Sequence, residues 1–199
     1  MDKPSSDVAF TPAVKAVQSD RGSRRACERL EQRGGFETEV TDSLAAFIAG
    51  LDSFYLATAN AKGQPYVQHR GGPRGFLRVL DAQTLAFADY AGNRQYVTTG
   101  NLAENDQVFL FLMDYQNRQR IKIWGRAKVS AEPALLARLM PEGYAARPEQ
   151  AIVVRMEAWD ANCPQHIPHL VPFERIAGLE RENAALRAAL KKAGLREPA

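Results

Sequence analysis

The segment from Thr84 to Tyr96 gathers the residue types needed to hold a phosphate monoester. An alternating strand pattern runs through Asp89 into a Gly92-Asn93-Arg94-Gln95 turn, and a short helix is predicted from Asn93 to Leu102. A helix start offers free backbone N–H groups, and Arg94 adds a planar cationic fork that matches a phosphate. An ordinary strand-to-helix turn with a surface arginine would use the same residues. A second set, Gln68-His69-Arg70-Gly71-Gly72, lies on a predicted strand whose glycines would let the backbone approach a flat ligand. A β-bulge accounts for those glycines equally well. His69 reads first as a hydrogen-bonded structural residue. Cys163, His166 and His169 fall short of a closed tetrahedral set, so no metal site is expected. Cys163 suits a packed thiol or a redox thiol, and Trp124 and Trp159 read first as packing residues.

These residues need a scaffold, and the pattern along the chain supplies one. Two helices precede the core: Ser23 to Arg33, stopped at Gly34-Gly35, and a second that starts at Thr41 or Asp42 as N-cap. From Ser53 the pattern turns to short β-branched and aromatic runs at Phe54–Ala59, Pro65–Arg70, Gly75–Leu80 and Thr84–Asp89, read as an antiparallel meander. Asn60 to Gly63 and Asp81 to Gln83 carry the tight-turn chemistry between them. Gln107–Met113 and Arg120–Ser130 form a long hairpin, Ala131–Met140 a helix, and Ala151–Trp159 a last strand. Seven strands with peripheral helices give a mainly β, α+β chain, and closure into a barrel would remove exposed edges. Three regions follow: residues 1–40 as a helical extension, 41–168 as the barrel domain, and 172–194 as a terminal helix.

Composition narrows the classes further. A chain of 199 residues with 45% hydrophobic content can bury a substantial core in one domain. Its 26 basic and 23 acidic residues leave +3 without a dense run, so no nucleic-acid partner is expected. The first residues lack the apolar stretch of a signal peptide, and no window approaches a membrane span. A cytoplasmic protein without a membrane partner is the expectation. Its two cysteines, Cys27 and Cys163, read as free thiols.

With Gly63-Gln64-Pro65-Tyr66, Gly92-Asn93-Arg94-Gln95 and Glu104-Asn105-Asp106-Gln107 in this order, the chain resembles the pyridoxamine 5'-phosphate oxidase family from Leu51 to about Ile167. That resemblance implies an antiparallel split β-barrel of the FMN-binding type, forming a homodimer with FMN at the interface. Carried over by position, it assigns flavin contacts to Gln68, His69, Arg70, Gly71, Gly72 and Asp89, and the phosphate to Arg94 and Gln95 beside Asn93. Arg120 stands where the family has a glutamine. Trp159 matches a tryptophan placed against the flavin from the partner subunit, and Gln165 and His166 match residues near flavin or substrate. The family lysine that closes the first strand motif falls on Pro73, so oxidation of pyridoxamine 5'-phosphate is not expected. The implied activity is an FMN-dependent oxidoreductase acting on an unknown small molecule. A flavin-binding or sensing protein without turnover is the alternative, as is a haem- or deazaflavin-binding barrel.

The terminal helix carries Ile176, Leu179, Asn183, Leu186 and Leu190 at alternating three- and four-residue steps. It suits a short parallel two-stranded coiled coil, with Asn183 at an a position and opposite charges at Arg175/Glu180 and Glu182/Arg187. A single amphipathic helix packed on its own barrel would use the same seam.

Overall fold

A computed structural model of the chain describes residues 3–161 and 163–195. They form two compact units, Met1–Met113 with Arg120–Cys163, and Asp114–Gln119 with Pro164–Ala199.

In the first unit, a 3-10 turn (Ser5–Val8), α1 (Pro12–Asp20) and α2 (Arg24–Glu31) precede α3 (Asp42–Ala49). The helix Pro12–Asp20 is an addition to the two expected, although its signature is local: the Thr11 side chain accepts from Val14 N–H, and Pro12 opens the first turn. Thr41 caps α3 in the same way through Leu44 N–H, and α3 buries Leu44 and Ile48.

The seven strands are β1 (Ser53–Ala59), β2 (Pro65–Gly71), β3 (Arg78–Asp81), β4 (Thr84–Tyr90), β5 (Gln107–Asp114), β6 (Gln119–Ser130) and β7 (Pro148–Ala161). Two further helices, α4 (Val97–Glu104) and α5 (Pro133–Leu139), lie between them. The strands form one antiparallel sheet in the order β2-β1-β5-β6-β7-β4-β3. The expected four-strand meander is therefore broken. β1–β2 and β3–β4 are hairpins, but β2 and β3 lie at opposite ends of the sheet and are not paired with each other in it. This gap makes the barrel split rather than closed. β3 is also shorter than expected, because Gly75 turns at a φ of 73° and sends Phe76 and Leu77 into the core before the strand begins.

Phe54, Phe76 and Phe87 pack at the centre, with Phe54 5.6 Å from Phe76 and 5.2 Å from Phe87 between ring centroids. Each is at most 1% exposed, and burying such a side chain contributes roughly 1.5–3 kcal/mol. Leu44, Ile48, Leu56, Leu110, Ile123 and Val154 join this cluster. A smaller one, Ala86, Ala88, Leu139 and Ala151, sits where α5 covers β4 and β7. β6 and β7 slip register between Trp124 and Gly125, where a Cβ on Gly125 would stand 2.4 Å from the Arg155 carbonyl. Glycine is the side chain that this crossing admits.

The second unit holds the tip of the β5–β6 hairpin and α6 (Phe173–Lys192). In the tip, Asp114 accepts from Asn117 N–H at 2.9 Å, and Arg118 takes a φ of 52°. Among the described residues, no helix is long and apolar enough to cross a membrane, and no group of three or more His, Cys, Asp or Glu could hold a metal.

Candidate functional site

β2 is an edge strand with strict alternation: Tyr66, Gln68 and Arg70 are half-buried, and Pro65, Val67, His69 and Gly71 are exposed. The inward set faces the end of β4 and the start of α4. Arg70 reaches across the split, where its Nη1 donates to Asp89 Oδ1 at 2.5 Å and its Nη2 to Thr98 Oγ1 at 3.0 Å. Both charged side chains are little exposed, at 16% and 13%, so each holds the other's charge out of bulk water. The guanidinium also lies 5.9 Å from the centroid of the Phe87 ring. Its Nε is buried and has no hydrogen-bond partner among the described residues.

Asp89 pairs across the β4–β7 ladder with Gln150, so the two side chains share a face. Gln150 Nε2 donates to Asp89 Oδ2 at 2.9 Å and to Thr99 Oγ1 at 2.7 Å. The carboxylate is thus fixed by two donors from two strands. Directly after Asp89 the β4–β7 register shifts, Tyr90 still pairs with Pro148, and the chain then leaves the sheet.

The turn that follows is the most unusual backbone in this unit. Arg94 and Tyr96 both have positive φ, 60° and 53°, in a region that side chains other than glycine rarely adopt. The predicted helix therefore begins later than expected, at Val97, because these left-handed residues cannot continue it. Asn93 Oδ1 accepts from Gln95 N–H at 3.1 Å and holds the turn. Tyr96 is the N-cap and makes no side-chain cap, so the first N–H groups of α4 stay open to an acceptor. Arg94 Nε donates to the Tyr96 hydroxyl at 3.2 Å, and that hydroxyl lies 3.4 Å from Glu149. The Tyr96 contact and the nearby Glu149 charge raise the Arg94 pKa, so the guanidinium stays cationic.

These elements enclose a cleft of about 170 Å³, open on one side and mainly polar. Gln68, Arg70, Asp89, Asn93, Arg94 and Gln95 all line it. Sequence reasoning missed Tyr66, whose hydroxyl bonds Gln68, and also Tyr96, Thr98, Thr99, Glu149 and Gln150. Thr98 and Thr99 had a local signal, as polar residues in the first turn after the Gly-Asn-Arg motif. Gln150 had none, since its place depends on a register set 61 residues away.

The remaining expected residues of the first unit lie elsewhere in it. His69 points to the other face of β2, with its ring 5.6 Å from Tyr55. A Cβ on Gly72 would meet the Phe76 ring at 2.8 Å, so packing within the chain alone requires a glycine there. Gly71 is exposed at the end of β2. Arg120 donates from Nη2 to the Cys163 carbonyl at 3.5 Å and does not line the cleft. Trp159 is 9% exposed; its indole N–H donates to the Glu39 carbonyl and its backbone N–H to Glu37, both at 2.8 Å. It anchors the segment before α3. Gln165 and His166 belong to the second unit, where His166 takes a φ of 61°.

Residues 40–163 match the family model described as pyridoxamine 5'-phosphate oxidase. Among solved structures, HupZ of Group A Streptococcus is similar at 19% identity, over 61% of this chain and 93% of that one, with a TM-score of 0.51. A protein of Syntrophomonas wolfei described as FMN-binding is similar at 12% identity, over 78% of this chain and 98% of that one, with a TM-score of 0.49. No curated protein matches the chain.

Proposed function

We propose that this chain, which belongs to the pyridoxamine 5'-phosphate oxidase family, is an FMN-dependent oxidoreductase that holds the FMN phosphate on the turn from Asn93 to Thr98. The observation that carries this reading is that turn: two left-handed non-glycine residues deliver an uncapped helix start and the Arg94 cation to one cleft. Open N–H groups and a guanidinium together suit a dianionic phosphate. Backbone strain of this kind is enriched at ligand-holding turns.

The residues also fit the ring system of a flavin. Arg70 keeps a buried Nε without a partner among the described residues, and an acceptor on a bound ring would complete its fork. Asp89 would repel an anionic ligand if it stood free, but Arg70 and Gln150 already satisfy its two oxygens. When bound, FMN supplies the electron chemistry. The chain's own part is to orient the ring through Gln68 and Arg70 and to fix the phosphate through Arg94 and the α4 N–H groups.

A second copy of the chain completes the site in this proposal. The outer face of β2, β1 and β5 carries Val67, Tyr55, Phe109 and Phe111 in register, with Val67 59% exposed and Tyr55 37% exposed. An apolar sheet face of this kind marks a contact surface.

The test is the absorption spectrum of the purified full chain, with the chromophore then released and identified. Flavin bands and released FMN support the reading. A haem or deazaflavin spectrum, or no flavin bound after addition of FMN, overturns it. Turnover is tested separately, by reduction of the bound flavin with a diffusible donor and reoxidation over repeated cycles.

A further inference from the structure

α6 carries an apolar seam that its own unit leaves open to solvent. Ile176, Leu179 and Leu186 are 43%, 57% and 59% exposed, and they recur with Asn183 and Leu190 at alternating three- and four-residue steps. A helix gains most of its stability by packing its apolar face, so α6, 20 residues long with that face in water, lacks its main support. The step pattern is the 3.5-residue repeat of a two-stranded coil, not the broader stripe of a helix lying on a barrel. Ile176, Asn183 and Leu190 take the a positions, and Leu179 and Leu186 the d positions.

We infer that α6 pairs in parallel and in register with α6 of a second copy, forming a short coiled coil that adds a contact to the dimer. The flanking charges fit a copy of the same helix. Arg175 and Glu182 at g face Glu180 and Arg187 at e of the partner, so both pairs are opposite in sign. Those charges would also pair in an antiparallel arrangement, and Asn183 decides the direction. In a parallel pair, Asn183 meets its own counterpart and the two amides bond each other. In an antiparallel pair it faces a leucine, leaving a buried amide without a partner. The inference goes beyond the cofactor reading, and its test does not depend on FMN.

The experiment uses the full chain with Cys27→Ser and Cys163→Ser, to which Ile176→Cys, Leu190→Cys or Ala188→Cys is added singly. Parallel pairing brings position 176 beside 176 and 190 beside 190, while 188 faces outward at f. Under mild oxidation the 176 and 190 variants should each form disulfide-linked dimers at least tenfold faster than the 188 variant. On the Leu190→Cys background, Glu182→Lys or Arg187→Glu alone should slow crosslinking several-fold, and the two together should restore it. Crosslinking at 176 and 190 no faster than at 188 overturns the coil. Disulfides that form only when the Ile176→Cys chain is mixed with a Leu186→Cys chain, or the Leu190→Cys chain with a Leu179→Cys chain, overturn the parallel direction, since those are the antiparallel registers in which Asn183 faces a leucine.

Discussion

Asp89→Asn tests whether the ion pair across the split holds the site together. The change keeps the side-chain shape but removes the charge that faces Arg70 at 2.5 Å. An asparagine there can offer its oxygen to Arg70 or to Gln150, and turns its amide toward the other donor. Breaking a fully buried pair on one side costs about 3–5 kcal/mol. Here the two side chains are 16% and 13% exposed, and Arg70 keeps its bond to Thr98, so water and Thr98 offset part of that cost. The expected loss is about 2–3 kcal/mol, which for a chain of this size lowers Tm by roughly 4–12 °C. Urea unfolding followed by tryptophan fluorescence, at fixed protein concentration, reads the loss directly. Joint Arg70→Met and Asp89→Leu removes both charges and should be more stable than either single change, because neither charge is left uncompensated. A loss below about 0.5 kcal/mol for Asp89→Asn would place it among ordinary surface substitutions and refute the reasoning.

Gly125→Ala should destabilise the barrel by roughly 1–3 kcal/mol or more, since the new Cβ meets a backbone carbonyl that cannot swing aside, and thermal unfolding would show it. The N-terminal helices should loosen in acid. Hydrogen bonding from Arg24, opposed by burial and reinforced by Lys15, holds the Glu31 carboxyl below the usual glutamate range. A depressed pKa gives stability that is present above the unfolded value of about 4.3 and lost as pH falls through the folded one. Hydrogen-exchange protection of α1 and α2, taken relative to the intrinsic amide rate at each pH, should therefore fall below about pH 4, and Glu31→Gln should flatten that dependence. Pyridoxamine 5'-phosphate should not be oxidised, because Pro73 offers no cation where the family has a lysine; aldehyde formed at ordinary enzyme rates of about 1–10³ s⁻¹ would refute this.

Local signals carried most of the elements. The Thr41 cap, the alternation along β1 and β2, and the long β5–β6 hairpin are written in neighbouring residues, and the structure places them within a residue or two of the expected ends. Strand order is different, because nothing near Gly71 says that the chain will cross to the far end of the sheet. The same division runs through the site. Gln68 and Arg70 share a face by the two-residue period that turns His69 away, a geometry readable from the strand once its inward face is known. The left-handed turn at Arg94 and Tyr96 had no signature, since neither is a glycine or an asparagine. The anchoring of Trp159 could not be read locally, because its partners, the carbonyls of Glu37 and Glu39, lie about 120 residues earlier and meet it only in the folded chain.

The central claim is that the Asn93–Thr98 turn binds a phosphate, and paired titrations of the full chain with FMN and riboflavin test it most directly. The two ligands differ only in that group. The parent should bind FMN at least about tenfold more tightly than riboflavin, and Arg94→Ala should weaken FMN by about tenfold or more while leaving riboflavin unchanged. Equal affinity of the parent for both ligands, or an Arg94→Ala chain that binds FMN as the parent does, would contradict the account.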